Sequence, residues 1–341
     1  MPDYERLERL GAGNFGEVWL VYDRALSVQR AVKFVNPDRV RDPTNFYQEP
    51  QTLMALRHEN IVRVEDAGKL PNGSLYIAME YLRKGSVDAV YRGRPAPLKY
   101  AVRLLCDLCW GLEYSHNHGY IHRDIKPGNI LIGSAGEAKL SDFGLAVRVP
   151  RGETASPYGY LTHIAPEVLS EGITSTRSDL YALGVTAYRL INGDGFLPDI
   201  NDIGELQDAI LSSDYPDRER YRPYVPAKLR RIINKCMMVD PDNRYQSASV
   251  IRRQLETIEL YCDWKLRRTR NGIRYIATIG DVRVVVQIKE LRSGKFDIET
   301  TRQVRKGATR RVKGDCVAML PRAKMKVRVK QILSRYVTHG R

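Results

Sequence analysis

The sequence is poor in features typical of secreted, membrane-spanning and zinc-bound proteins. Its five cysteines are scattered. Only Cys106 and Cys109 form a C-x-x-C pair, which lies in a helix-like run and lacks the second pair that a zinc site needs. No uncharged apolar run approaches the ~20 residues that span a bilayer, and the opening MPDYERLERLG has no apolar signal core. These absences predict a cytoplasmic protein with reduced core thiols and no transmembrane segment.

Positive charge is abundant, but only towards one end of the chain. The 341 residues include 55 Lys and Arg against 40 Asp and Glu, a formal net charge of +15. Residues 258–341 hold 22 of the basic and 7 of the acidic residues, so residues 1–257 are neutral by count. The length allows two or three domains. We therefore expect residues 258–341 to form a separate basic domain.

A glycine-rich turn between two apolar runs opens the chain. The stretch from Gly11 to Val18, GAGNFGEV, has the form G-x-G-x-x-G-x-V, whose glycines let backbone amides approach a polyphosphate. A strand-like run follows, whereas a dinucleotide-binding fold would require a helix. After Gly85 the pattern changes to long helices. We therefore expect a strand-rich lobe, a helical lobe and a ligand cleft between them.

Charged and amide residues recur at spacings that suit phosphate chemistry. Lys33 ends the strand fragment AVK, and Glu49 lies in the next helix-like segment, where a carboxylate can hold the stem of a phosphate-binding lysine. The stretch HRDIKPGN ends at Asn129, and a predicted hairpin separates it from Asp142 in DFG. That hairpin would bring Asn129 and Asp142 together, where they can hold two magnesium ions on a triphosphate.

This ordered set closely resembles the eukaryotic-like (Hanks-type) serine/threonine protein kinase family, from about Tyr4 to about Leu255. Further matching signatures are Ala165-Pro166-Glu167, Asp179 and Arg244, and the resemblance implies an ion pair between Glu167 and Arg244. LRHENIV and IHRDIKPGNIL resemble the bacterial members, so the resemblance implies a bacterial or phage kinase.

The resemblance implies an α+β bilobal kinase fold followed by a small domain. The β-rich N-lobe would occupy residues 1–82 and the helical C-lobe residues 83–257. Residues 258–341 would form a small basic α+β domain.

The resemblance also implies transfer of the γ-phosphoryl group of ATP to Ser and Thr hydroxyls of proteins, with Mg²⁺ or alternatively Mn²⁺. Asp124 would orient the acceptor hydroxyl and take its proton, and Lys126 would neutralise the transferring group. Lys33, held by Glu49, would bind the α- and β-phosphates. Asn129 and Asp142 would bind the metal. The nucleotide would contact Gly11, Gly13, Gly16, Val18, Ala31, Lys33, Met79, Glu80 and Leu82.

Regulation is implied by the same resemblance. Arg123 would pair with a phosphate on the activation segment, which autophosphorylation at Thr154 or Ser156 would supply. Tyr160 stands where the family usually has a threonine that bonds the catalytic aspartate and lysine. Thr162 could take the place of that threonine if the segment is shifted.

Residues after 257 return to a strand pattern. Hairpin signals at Gly280-Asp281 and Ser293-Gly294 predict three strands, DCVAML suggests a fourth, and PRAKMKVRVKQILSRYV predicts a helix starting at Pro321. Within this domain, RQVRKGATRRVKG has six cations and no acid. The cations are Arg302, Arg305, Lys306, Arg310, Arg311 and Lys313.

Three partners suit this basic domain. Nucleic acid is favoured, an acidic protein partner or substrate is nearly as good, and an anionic membrane comes third. The function classes that remain open are a signalling kinase with a docking module and a nucleic-acid-responsive regulatory kinase. A pseudokinase-like binding scaffold is a further alternative, although none of the catalytic residues is replaced.

Overall fold

Residues 3–13, 16–35, 48–71, 73, 75–143, 146–148, 161–305 and 307–341 are described by a computed structural model. They form an N-terminal sheet, a helical body and a C-terminal sheet that packs against one long helix.

The N-terminal sheet has five strands in the order β1-β2-β3-β5-β4, and neighbouring strands are antiparallel. The PNGS stretch, a turn signal in the sequence, connects the antiparallel strands β4 and β5. Val21, Val32 and Ala78 are buried on adjacent strands and form a small core on one side of the sheet. The elements of this lobe are β1 (Tyr4–Gly13), β2 (Gly16–Asp23), β3 (Val28–Val35), α1 (Gln48–Ala55), β4 (Val64–Lys69) and β5 (Leu75–Glu80).

The helical body confirms the predicted change of pattern after Gly85. Its central helix α5 is buried on most sides, whereas α3 is amphipathic. The helices are α2 (Val87–Tyr91), α3 (Leu98–Asn117), α4 (Pro166–Ser170), α5 (Thr176–Asn192), α6 (Ile203–Leu211), α7 (Ala227–Cys236) and α8 (Ala248–Glu256). Two short antiparallel pairs lie between α3 and α4, namely β6 (Tyr120–Ile121) with β9 (Val147–Arg148) and β7 (Ile130–Ile132) with β8 (Ala138–Leu140).

The stretch SASVIRRQLETIELYCDW predicts one final helix of the helical body through to Trp264, but only its first half is helical. Helix α8 ends at Glu256, and the chain then runs on without helix to the C-terminal sheet. Cys262 and Trp264, two residues apart, are both buried. Burial at every second residue is typical of extended chain, because successive side chains then point to opposite sides.

The C-terminal sheet has six strands in the order β10-β11-β12-β13-β14, with β15 also paired to β13. Both predicted hairpins, the fourth strand and the final helix are confirmed. Strands β10 and β14 were not predicted, so the domain is richer in strand than expected. The elements are β10 (Lys265–Thr269), β11 (Gly272–Ile279), β12 (Val282–Glu290), β13 (Phe296–Val304), β14 (Arg310–Arg311), β15 (Val317–Leu320) and α9 (Arg322–His339).

Aromatic packing joins the C-terminal domain to the helical body. Tyr275 of β11 makes edge contacts with Tyr224 of the body, 6.5 Å between ring centroids, and with Trp264, at 6.4 Å. Trp264 also contacts Tyr336 of α9 at 5.9 Å and donates its indole N–H to the Leu333 carbonyl at 3.1 Å. All of these side chains are buried. The two parts therefore share one continuous core.

A polar contact across this boundary leads to a stability prediction. Helix α3 has Pro97 at its N-cap and no side-chain cap, but Asp263 Oδ1 accepts from the Lys99 N–H at 2.8 Å. Asp263→Ala removes that acceptor, so we expect the free energy of unfolding to fall by about 1 kcal/mol in chemical denaturation. Asp263→Asn should retain most of the stability. The exposed Asp199→Ala is the control, and an equal loss in that variant would contradict the assignment.

Candidate active site

Lys33 lies on β3, between Val18 of β2 and Ile77 of β5. Its side chain is buried, and Nζ lies 3.1 Å from Asp142 Oδ1. These two residues are 109 positions apart in the chain. The side chain of Glu49 lies outside the described residues, so its predicted pairing with Lys33 stays a prediction.

The hairpin of β7 and β8 places Asn129 at its entrance and Asp142 after its exit. The Ser141 N–H and Oγ both donate to the Asn129 carbonyl at 3.0 Å, which holds the two ends of the hairpin together. Asp142 has φ +61°, a left-handed conformation that is uncommon outside glycine. Such strained backbone is found at functional sites, where the surrounding structure imposes it.

Asp124 lies at the centre of a small charged network. Lys126 Nζ donates to both of its carboxylate oxygens, at 3.0 and 2.7 Å. Asn129 Nδ2 donates to Asp124 Oδ2 at 2.7 Å and to its backbone carbonyl at 2.9 Å. Asp124 is 7% exposed, so the network holds a fixed carboxylate with limited access to water.

Charge pairing sets the protonation state of Asp142. Removal from water by itself would raise the pKa of this carboxyl group, but the adjacent Lys33 ammonium lowers that pKa below its usual value. Asp142 is therefore ionised at neutral pH. Its anionic oxygen is the kind of ligand that a divalent cation such as Mg²⁺ prefers.

Asp179 holds the backbone of the HRD stretch. Its Oδ2 accepts from the His122 N–H at 2.8 Å, and its Oδ1 accepts from the Arg123 N–H at 2.9 Å. His116 Nε2 lies 2.8 Å from Oδ2. Burial would raise the pKa of Asp179, but the His116 hydrogen bond and the His122 amide lower it below its usual value. The sequence marked Asp179 as a signature without indicating this role.

The predicted nucleotide contacts lie on β1, β2, β3 and β5 of the N-terminal sheet, except Leu82, which follows β5. A Cβ on Gly16 would lie 2.0 Å from the Phe34 carbonyl oxygen, so the close approach of β2 to β3 requires glycine there. Ala31 is opposite Met79 across β3 and β5, where β5 leads into the connection to the helical body. The Glu80 carboxylate accepts from the Arg63 N–H at 2.8 Å and from Lys139 Nζ at 2.9 Å.

The chain matches the family model for the protein kinase domain over residues 4–255. It belongs to the protein kinase family. The resemblance drawn from the sequence motifs is thereby confirmed, as is the two-lobed kinase fold. Membership of this family implies use of ATP with a divalent cation.

Bacterial relatives resemble the kinase domain. The chain is 34% identical over 264 residues to the serine/threonine-protein kinase PknB of Mycolicibacterium smegmatis, covering 74% of this chain and 42% of that protein. It is 33% identical to PknB of Mycobacterium tuberculosis, with the same coverage. With the serine/threonine-protein kinase PrkC of Bacillus subtilis it shares 31%, covering 74% of this chain and 40% of the relative. The chain thus spans about two fifths of the length of these relatives.

The predicted ion pair of the kinase domain, Glu167 with Arg244, is confirmed. Arg244 Nη1 and Nη2 donate to the two carboxylate oxygens of Glu167 at 2.8 and 2.6 Å, and both side chains are buried. The pair joins α4, at the end of the activation segment, to the turn that precedes α8.

The predicted regulatory residues are only partly described. Arg123 has φ +67°, and its N–H is bound to Asp179. The Thr162 hydroxyl lies 3.0 Å from His163 Nδ1. Thr154, Ser156 and Tyr160 lie outside the described residues, so the predictions for them remain untested.

The cations of the six-cation run in the C-terminal domain do not all lie on the same face of the sheet. Arg302 is directly opposite Arg310, and Arg311 is opposite Thr301, so neighbouring cations lie on different faces. Arg305 pairs with Asp281 at 2.7 Å, and Arg311 pairs with Glu299 at 3.3 Å. Lys313 lies in a short helical turn, and Lys306 lies outside the described residues. This run is therefore not a single free cationic cluster.

The described residues were also compared with the predictions for thiols, zinc sites and membrane-spanning helices. The five cysteines are free, as predicted. Cys109 is buried and Cys106 is partly buried against the core. Among the described residues, no cluster of three or more His, Cys, Asp or Glu could hold a metal ion, and no helix is long and apolar enough to cross a bilayer.

Proposed function

We propose that this chain is a serine/threonine protein kinase that uses ATP with Mg²⁺. The observation that carries the proposal is the convergence in one cleft of the Asp124–Lys126–Asn129 network and the Lys33–Asp142 ion pair. Each of these groups has a role in phosphoryl transfer, whereas a binding scaffold would have no need of a catalytic carboxylate.

The residues of the cleft fit a metal-bound nucleotide. Mg²⁺ is commonly held by one or two protein oxygens together with waters and substrate phosphates. The ionised Asp142 and the amide oxygen of Asn129 supply such ligands, which also suit Mn²⁺. When bound, the metal and ATP would supply the transferable phosphoryl group and neutralise charge on its oxygens.

The chain's own residues would then perform three tasks. Asp124 accepts the proton of the acceptor hydroxyl and orients its oxygen, because its carboxylate is fixed by Lys126 and Asn129. Lys126, two residues away, offers positive charge beside the group in transit. Lys33 binds nucleotide phosphates, exchanging its contact with Asp142 for them.

The adenine ring would bind where β5 leaves the sheet. The Glu80 N–H already donates to the Arg63 carbonyl at 3.0 Å, so the Glu80 carbonyl and the Leu82 amide are the groups proposed to contact adenine. Met79 would close the back of this pocket. Gly11, Gly13, Gly16, Val18 and Ala31 would cover the phosphates and the ring.

The proposal includes the domain division and regulation. Residues 1–82 and 83–257 would be the two lobes, and residues 258–341 a docking module on the kinase. A phosphate at Thr154 or Ser156 would pair with Arg123, and Thr162 would take the place of the usual threonine. Protein substrates are implied by this activity. A nucleic acid or acidic partner would contact the basic run, where Arg305 and Arg311 already pair with Asp281 and Glu299.

Incubation of the purified chain with labelled ATP and Mg²⁺ tests the activity. We expect label in phosphoserine and phosphothreonine, both on a generic acceptor protein and on the chain itself, and loss of label when the cation is chelated. Phosphopeptide mapping should find Thr154 or Ser156 modified. Asp142→Asn, which removes the proposed cation ligand, is the negative control. Label only in phosphotyrosine would contradict the acceptor class, and no label under these conditions would favour a scaffold.

A further inference from the structure

One face of the C-terminal sheet is polar across four strands. Directly opposite residues of antiparallel strands share a face, and one such row contains Arg267, Arg274, Gln287 and Glu299. The opposite face of the sheet carries the buried side chains, such as Val286, which belong to the core shared with α9 and the helical body. The polar face is therefore not required for packing.

This face contains a groove of about 340 Å³. Arg274, Arg283 and Lys289 contribute cations to its lining, and the buried Gln287 and the partly exposed Gln303 contribute amides. A volume in this range suits a small ligand or a short peptide segment, and it is too small for a nucleic-acid duplex. The lining combines positive charge with groups that donate and accept hydrogen bonds.

One cation of the groove lies beside a like charge on the neighbouring strand, which lowers the stability of the sheet. Arg267 and Arg274 are directly opposite on neighbouring strands, a placement of like charges that destabilises a sheet. Gln287 Oε1 accepts from Arg274 Nε at 2.7 Å. This contact fixes the guanidinium and does not use its terminal amino groups. Within the described residues, the Arg283 guanidinium makes no hydrogen bond or ion pair. These cations suit an anionic ligand better than they suit the isolated sheet.

The lining also indicates which anion fits. None of the described lining residues is aromatic, so nucleotide bases would have no ring on which to stack. Glu299 lies in the same groove, and its charge would repel a continuous phosphate backbone, even though Lys289 and Arg311 approach it at 3.7 and 3.3 Å. A single phosphoryl group near Arg274 avoids that carboxylate, because Gln287 lies between them in the row.

We propose that this groove binds extended peptide segments carrying phosphoserine or phosphothreonine. Arg274, with Arg267 beside it, binds the phosphoryl group through charge-assisted hydrogen bonds. Arg283 lies four residues along β12 from Gln287, roughly 13 Å away, and binds an acidic residue about four positions from the phosphorylated one. The choice of these two phosphorylated residues rests on the proposed kinase function, whereas the anion site itself does not.

Fluorescence anisotropy with the full chain tests the groove. The probes are degenerate peptide pools centred on phosphothreonine or phosphoserine, their unphosphorylated counterparts and a single-stranded RNA. We expect the phosphorylated pools to bind at least about tenfold more tightly than the unphosphorylated ones. Arg274→Gln should lower that affinity about tenfold or more and Arg283→Gln severalfold, with kinase activity on a generic acceptor unchanged. The control Arg292→Gln removes the same charge from an exposed turn and should change affinity less than about twofold.

Each contrary result overturns a defined part of the proposal. Equal binding of phosphorylated and unphosphorylated pools, or equal weakening by Arg274→Gln and Arg292→Gln, would exclude a phosphoryl site in the groove. Tighter binding of the RNA would replace the peptide by nucleic acid. An active kinase that binds no phosphopeptide overturns the groove assignment alone. A chain that binds phosphopeptides but transfers no phosphate overturns only the proposed function.

Discussion

Asp124→Asn is expected to slow phosphoryl transfer about a thousandfold while leaving the protein folded. The substitution retains the size of the side chain but removes the group that accepts the substrate proton. It also removes the negative charge of Asp124, whose Oδ2 accepts from Lys126 Nζ and from Asn129 Nδ2 at 2.7 Å each. The measurement is single-turnover transfer from saturating ATP to a threonine-containing acceptor, so that product release does not mask the chemical step.

Two controls separate catalysis from folding. ATP affinity should stay within about threefold, because the proposed phosphate contact is Lys33, which binds Asp142 and not Asp124. Asp199→Asn, an exposed residue far from these contacts in the sequence, should transfer at the unmodified rate. A rate for Asp124→Asn within tenfold of the unmodified chain would show that Asp124 is not the proton acceptor.

Much of the candidate site could be predicted because its chemistry is concentrated in short stretches. HRDIKPGN contains Asp124, Lys126 and Asn129 within eight residues, and the hairpin that returns the chain to Asp142 is visible in its strand pattern. The role of Asp179 could not be predicted in this way. It acts on backbone amides 56 and 57 residues earlier, and such a contact depends on how α5 packs beneath the loop.

In the C-terminal domain, the sequence pattern did not predict strand β10 or the position of the groove. Strands β11 and β12 were predicted from their apolar content. Strand β10 has one apolar residue, Leu266, and all its residues are exposed, so its sequence shows no alternation of apolar and polar residues. The run from Arg302 to Lys313 is visible in the sequence because its cations are close together along the chain. The cations that line the groove come from two strands, β11 and β12. Only the strand register shows that Arg267 of β10 lies beside Arg274.

The largest stability loss is expected for Arg244→Met, at about 3–5 kcal/mol in equilibrium denaturation. Arg244 is fully buried, and all five of its N–H groups have acceptors. Two N–H groups bind Glu167, and the others bind backbone carbonyls of Arg177, Met238 and Val239. Removing the guanidinium leaves the Glu167 carboxylate buried without its counter-charge, a state that costs more than the lost hydrogen bonds alone.

A double-mutant cycle distinguishes this unpaired charge from simple loss of packing. Glu167→Met combined with Arg244→Met contains no lone buried ion, so it should be less destabilised than the sum of the two single variants, with a coupling of about 1–3 kcal/mol. The same cycle on the exposed pair Asp281 and Arg305 should give less than about 1 kcal/mol. Additive losses at Glu167 and Arg244 would contradict the explanation. Because Glu167 ends the activation segment, the single variants should also lose kinase activity under conditions in which they remain folded.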